Sequence, residues 1–277
     1  MSAKWLSISL CAGIVASSLW SIYADAPVIT EAIQLNKPIS FKNDVMPILT
    51  KAGCNTGGCH GSAHGQDGFH LSLFGYDPEG DYERITREMG ARRVNLALPE
   101  ESLLLQKATG NVPHTGGKRI DKKSDFYRAL VAWIDAGAPR DPAEIATPVS
   151  VDISPKQILL EGENVTKQMT VTAHYSNGAN RDVTPLSVFF TNNEGSAKIS
   201  PAGVVTSGGR GEAFVMARFA TSTVGSQVIV VPKNLAFTFP VVPERNYIDT
   251  LIDDKLKKLR IAPSEICGDE EFLRRVS

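Results

Sequence analysis

Cysteine is scarce in this sequence, with four among 277 residues. Only Cys54 and Cys59 are neighbours; Cys11 and Cys267 stand alone. A tetrahedral zinc site needs four such ligands. No second cysteine pair exists, and only His64 and His70 lie near the first, which puts zinc behind other uses of the thiols. Net charge is also nearly absent: 29 Lys and Arg stand against 30 Asp and Glu, for a formal charge of -1. That balance argues against nucleic acid or an anionic membrane surface as an electrostatic partner. The apolar run from Leu6 to Trp20 falls short of the ~20 residues that span a bilayer. What remains is ordinary globular material, 42% hydrophobic and long enough for two domains.

Lys4, the apolar run and Ser21-Ile22-Tyr23-Ala24 have the layout of a secretory signal peptide over residues 1–24, with cleavage after Ala24. An uncleaved anchor is the alternative; cleavage leaves no stable membrane span. Cys11 follows Leu10, where a lipoprotein cleavage site wants a small residue, and reads as apolar filler. The chain is therefore expected outside the cytoplasm, in the periplasm or at the cell surface. Such a compartment permits thioether attachment of haem and stable disulfides alike.

Near the start of the mature chain stands Cys54-Asn55-Thr56-Gly57-Gly58-Cys59-His60. Cys-x-x-Cys-His is the attachment signature of c-type haem, and here two further residues, both glycines, widen the interval. Each part has a chemical purpose. Two thiols add across the haem vinyl groups, and the next residue offers an imidazole nitrogen to iron. Glycine reaches backbone angles that other residues resist, so a longer loop still brings both sulfurs to the ring. The competing use of the same residues is a Cys54–Cys59 disulfide.

Residues 38–140 form the first expected domain. Phe41, Val45, Ile48 and Leu49 recur at helical spacing over Ser40–Ala52, with Ser40 or Asn43 as cap and Pro47 forcing a kink or a late start. Ser124 caps a helix running to Ala136, with Phe126, Leu130, Trp133 and Ile134 as its apolar stripe and Gly137 as its stop. Between them, Phe69–Phe74 alternates like a strand, Asp77-Pro78-Glu79-Gly80 reads as a turn, and 81–89 and 100–108 read as helices. A glycine-rich loop, residues 110–119, carries His114.

Cys54 to His60, Leu98-Pro99-Glu100-Glu101-Ser102-Leu103-Leu104 and Trp133-Ile134-Asp135-Ala136-Gly137-Ala138-Pro139 together resemble the planctomycete-type cytochrome c domain. The resemblance implies an all-α cytochrome c-like fold holding one covalent haem c, with His60 as proximal ligand. In many members the sixth ligand is a methionine directly before a proline ahead of the last helix. This sequence has Val112 there. His114, two residues on, is the expected replacement, giving a bis-histidine iron of lowered potential. His64, His70, Met89 and an open sixth site are the alternatives. Arg92, Arg93, Lys118 and Arg119 are candidate partners for haem propionates.

Proline-rich residues 140–148 mark a linker. Beyond it, residues 148–243 switch to short alternating strands. Met169, Val171, Ala173 and Tyr175 face one way, Thr170, Thr172 and His174 the other, and Asn177-Gly178 signals a hairpin. Further strands are expected over 187–191, 197–200, 213–219 and 227–231, giving an all-β sandwich. Tyr175-Ser176-Asn177-Gly178, Arg181-Asp182-Val183-Thr184 and Gly203-Val204-Val205-Thr206 resemble a bacterial Ig-like group 2 domain. No cysteine lies in this region, so its apolar core must hold it without a disulfide. No catalytic constellation is visible in it, and the resemblance implies a spacer or cell-surface contact.

Residues 244–277 are expected to be a short helical stub. An amphipathic helix over Asn246–Leu259 has Ile248, Leu251, Ile252, Leu256 and Leu259 as its stripe. A second begins at Gly268. This stub resembles the opening of the uncharacterised domain that follows such modules in large secreted planctomycete proteins, and implies an N-terminal fragment. The expected whole is multidomain: an exported electron-transfer module with Cys54, Cys59, His60 and His114 around haem. Its electron partner is a redox protein or the missing C-terminal domain. An adhesive surface protein with a Cys54–Cys59 disulfide, or a peroxidase-like haem enzyme with an open sixth site, are the other readings.

Overall fold

The computed structural model describes residue 33 and residues 35–89 and 92–277. The expected signal peptide, with Cys11, lies outside them.

Ser40 opens the first helical segment, its Oγ accepting from the Asn43 amide at 3.0 Å. Asp141, a hundred residues away, caps the same end: its carboxylate accepts from the amides of Phe41 and Lys42 and from the Ser40 hydroxyl. Pro47 then forces the irregularity that its missing N–H predicts. Phe41–Val45 winds as a π turn, and regular helix α1 occupies only Met46–Lys51. The Asn43 carbonyl, which Pro47 cannot serve, accepts instead from Arg181 Nη1 at 3.1 Å. Three more helices follow: α2 (Pro78–Thr86), α3 (Leu103–Thr109) and α4 (Asp125–Asp135). Asp77 caps α2 and Pro78 takes its first position, so the expected turn is a helix start. Ser124 caps α4 as its sequence position predicts, and Trp133 lies fully buried with its ring 5.4 Å from Phe41.

The all-α cytochrome c-like fold expected for residues 38–140 is not what forms. The four helices run six to eleven residues, and the stretches between them are irregular. The reason lies in the backbone. Gly53, Gly65, Gly68 and Gly110 take positive φ, as do Asp67 and Phe74, and a right-handed helix cannot pass through such residues. The strand expected over Phe69–Phe74 is absent too, since Leu73–Gly75 curls into a 3-10 turn. Viewed whole, the described chain is a mixed protein dominated by three sheets.

Those sheets begin at Pro148. One contains β1 (Pro148–Ser154), β4 (Thr170–Tyr175) and β5 (Asn180–Asp182). A second runs β2 (Gln157–Glu161), β10 (Ser222–Val231), β9 (Gly211–Phe219), β6 (Val188–Thr191). The third joins β3 (Thr166–Gln168), β8 (Val204–Ser207) and β7 (Ala197–Ile199). All ladders are antiparallel except β2 with β10. Met169, Val171 and Ala173 are fully buried and face Val215, Ala217 and Val228 in one apolar core; this part fits an Ig-like sandwich. The hairpin at Asn177-Gly178 forms, with Gly178 at φ 82°.

Lys51, the last residue of α1, reaches into the sandwich. Its Nζ donates to the carbonyls of Ser187 and Pro201, 2.5 Å from each, over the Phe189 ring. Burial holds its ammonium down at about 8. At the far end, α5 (Tyr247–Leu259) and α6 (Asp269–Val276) follow the expected helices. Of the expected α5 stripe, Ile248, Leu251 and Ile252 are exposed, while Asp253 is the residue turned inward.

Asp141→Ala removes three acceptor contacts at an end with few other partners, and is expected to cost about 1–2 kcal/mol, read from the urea midpoint. Lys51 gives a pH signature of definite sign. Its folded pKa lies below the unfolded value of about 10.4, so its contribution grows as pH rises from about 8 toward 10. Unfolding free energies across that window should climb in the wild type and lose that component in Lys51→Met.

Candidate functional site

The end of α1 fixes the first thiol. Gly53 turns left-handed at φ 78°, its amide bonding the Thr50 carbonyl at 3.0 Å, and the Cys54 amide returns to Leu49 at 2.9 Å. That pair of bonds is a Schellman stop, which needs glycine at the left-handed position. Cys54 is thereby set against the apolar core. The loop closes on itself when the His60 amide donates to the Cys54 carbonyl at 2.9 Å. Within it, the Cys59 and Gly61 amides both donate to Thr56. Asn55 is fully buried, its Nδ2 donating to Thr50 Oγ1 at 2.9 Å and its carbonyl accepting from the Phe74 amide. A Cβ on Gly61 would fall 2.1 Å from the Asn55 carbonyl oxygen, so only glycine fits behind the histidine.

Cys54 and Cys59 are free thiols. Burial pushes the Cys54 thiol up to about 12, against the opposing pull of the Arg119 guanidinium. Arg119 Nη2 lies 3.8 Å from Cys59 Sγ, so of the four basic residues considered for propionates it is the one beside the thiols. Arg93 is committed elsewhere: it bonds the carbonyls of Arg84 and Gly68 and covers the Phe69 ring. Lys118 pairs with Asp121.

The two expected histidines come together. His60 and His114 have ring centres 6.2 Å apart and planes within 4° of parallel. Each ring is oriented through Nδ1, His60 by the Phe69 carbonyl and His114 by the Gly117 carbonyl, both at 2.9 Å. A neutral imidazole that donates from Nδ1 keeps its lone pair on Nε2, the arrangement that a carbonyl behind a metal-binding histidine imposes. Two imidazoles bonded to opposite sides of one metal ion at about 2.0–2.1 Å have ring centres about 6 Å apart. The centre-to-centre distance here is of that size. Burial lowers the His60 pKa; the Phe69 carbonyl acts against this and His114 reinforces it, so the neutral form is the favoured one.

His114 is the histidine whose ring faces His60. His64 is exposed and His70 half-buried. Met89, 61% exposed, sits at φ 61°. Among the described residues, no three His, Cys, Asp or Glu side chains converge as a protein-only metal site would require; a haem iron takes four ligands from its porphyrin and one or two from protein. Lys51 escaped sequence reasoning, because a lysine in the last turn of a helix is ordinary.

No protein-family model and no curated protein matches the chain. Among solved structures, domains 5-6 of the S-layer protein SbsC align at 14% identity, covering 31% of this chain, with a TM-score of 0.27. The aligned region spans 45% of that structure's length. A likeness this slight carries no argument. No helix among the described residues is long and apolar enough to cross a membrane.

The thiol environments predict chemical selectivity in the haem-free protein. Iodoacetamide at pH 8 should modify Cys267 at least tenfold faster than Cys54, since only a minute fraction of Cys54 is thiolate there. Peptide mass spectrometry of a time course reads both rates; equal rates would contradict the burial of Cys54.

Proposed function

We propose that this chain carries one covalent haem c and passes single electrons, with Cys54 and Cys59 as thioether attachments and His60 and His114 as the axial ligands. The observation that supports the reading is the pair of parallel imidazoles, each tied back through Nδ1, with ring centres at a distance compatible with one shared iron. The thiols agree with it. A site that keeps Cys54 protonated is poorly suited to a thiolate but accepts a neutral thioether. The proposal does not rest on an all-α cytochrome fold, which the chain lacks.

Bound there, the haem supplies one-electron chemistry at iron, and imidazole in the place of a methionine thioether favours a low potential. The protein's own part is orientation and charge. The Phe69 and Gly117 carbonyls hold the two rings in the tautomer that offers Nε2. Arg119 places a fixed positive charge beside Cys59, at the edge where the thioethers would form. Phe69, 4.6 Å from His60 between ring centres, shields that imidazole from water.

Attachment of haem c belongs outside the cytoplasm, which fits the signal peptide expected at residues 1–24 and an exported protein of the periplasm or cell surface. The resemblance to planctomycete-type cytochrome and Ig-like group 2 modules supports the same setting. A redox protein or a further C-terminal domain is the electron partner in this reading, and the sandwich provides surface contact.

Expression of the exported chain with haem-maturation machinery should give a haem-staining band on a denaturing gel and a pyridine haemochrome of one haem per chain. The visible spectrum should be low-spin. His114→Ala should convert it to high-spin, and His114→Met should raise the reduction potential. A colourless product with Cys54 joined to Cys59 would end the haem reading; unchanged low-spin bands in both variants would remove His114 from it.

A further inference from the structure

The loop between Cys54 and His60 hangs from a six-residue helix, and a helix that short does not hold itself. Three cationic contacts from or to the sandwich bracket it. Before the helix, Arg181 of β5 bonds the Asn43 carbonyl and pairs with Asp44 Oδ1 at 2.7 Å. At its end, Lys51 enters the sandwich and donates to Ser187 and Pro201 over Phe189. Beyond the loop, Arg218 of β9 lies 4.1 Å from the centre of the Phe74 ring. Phe74 is the residue whose amide holds the Asn55 carbonyl, one residue past the first thiol.

Two of these contacts are hard to explain as stabilisation alone. Lys51 has its charge buried against two carbonyls and a ring rather than against a carboxylate, and burial depresses its pKa accordingly. Phe74 is held at φ 54° and ψ 22°, a left-handed backbone that a bulky residue adopts only when its surroundings impose it. The geometry points to a positioning role: the Ig-like sandwich is the scaffold of the two-cysteine loop, with Lys51 and the Arg218–Phe74 stack as the residues that set where Cys54 and His60 stand. The sandwich is then part of the site rather than a spacer behind it. This holds for the loop itself, whichever group the thiols carry.

The test uses the full chain in its haem-free, reduced form, so that its outcome is separate from that of haem attachment. Lys51→Met, which removes a costly buried charge, and Arg218→Ala, which frees Phe74, should each raise the iodoacetamide rate at Cys54 and amide exchange over residues 53–61 at least tenfold. Exchange at the sandwich core amides of Val171 and Val215 should stay as in the wild type, and Lys51→Arg should restore the loop to near wild-type rates. Loop rates unchanged in both variants overturn the assignment. So does an equal rise at Val171 and Val215, which would mean general destabilisation.

Discussion

At the end of α1 the backbone turns left-handed at Gly53 and the Cys54 amide swings back to Leu49. The course of the two-cysteine loop depends on that stop. It decides that Cys54 faces the core, and, through the bond from the His60 amide to the Cys54 carbonyl, where the imidazole begins. A side chain at position 53 would have to bear the strain of that φ, and the loop would leave the helix in another direction. The two glycines between the cysteines are a different matter: they are exposed, with open space where a Cβ would sit, and they lengthen the loop without being squeezed by it.

The sequence was most legible where local rules and packing agree. Ser124, the stripe ending at Trp133 and Ile134, and Gly137 specify α4, and the structure has that helix with Trp133 and Ile134 fully buried. Alternation from Met169 to Tyr175 likewise survived, because one face of β4 is buried and a one-residue slip would expose all of it. Reasoning failed where backbone conformation is set from afar. Phe69–Phe74 alternates, yet no neighbouring strand is available, and Arg218 and Asn55 hold its end in a turn instead. Asp77-Pro78 suits a turn and a helix start equally; the Ser72–Asp81 bonds that anchor α2 lie outside any local window.

The same division explains the site. The thiols and His60 are adjacent in sequence and could be read as a unit. His114 was found because an expected methionine was missing, and the structure brings its ring beside His60 across more than fifty residues. The carbonyls of Phe69 and Gly117 that orient the two rings carry no sequence signature, since every residue has a carbonyl. The expectation of an all-α fold came from the same resemblance that supplied the site, and it failed separately. A constellation of side chains is specified more locally than the architecture around it.

Strands β2 and β10 lie side by side and run the same way, in register from Gln157 with Gln227 to Glu161 with Val231. The chain enters the sandwich through β1, which ends just before the first of them, and leaves it after the last. Once tension on the chain has drawn β1 away from β4, it would pull these two strands lengthwise past each other. Their hydrogen bonds would bear the load together in shear rather than open one at a time like a zip. That pairing is a built-in resistance to being stretched.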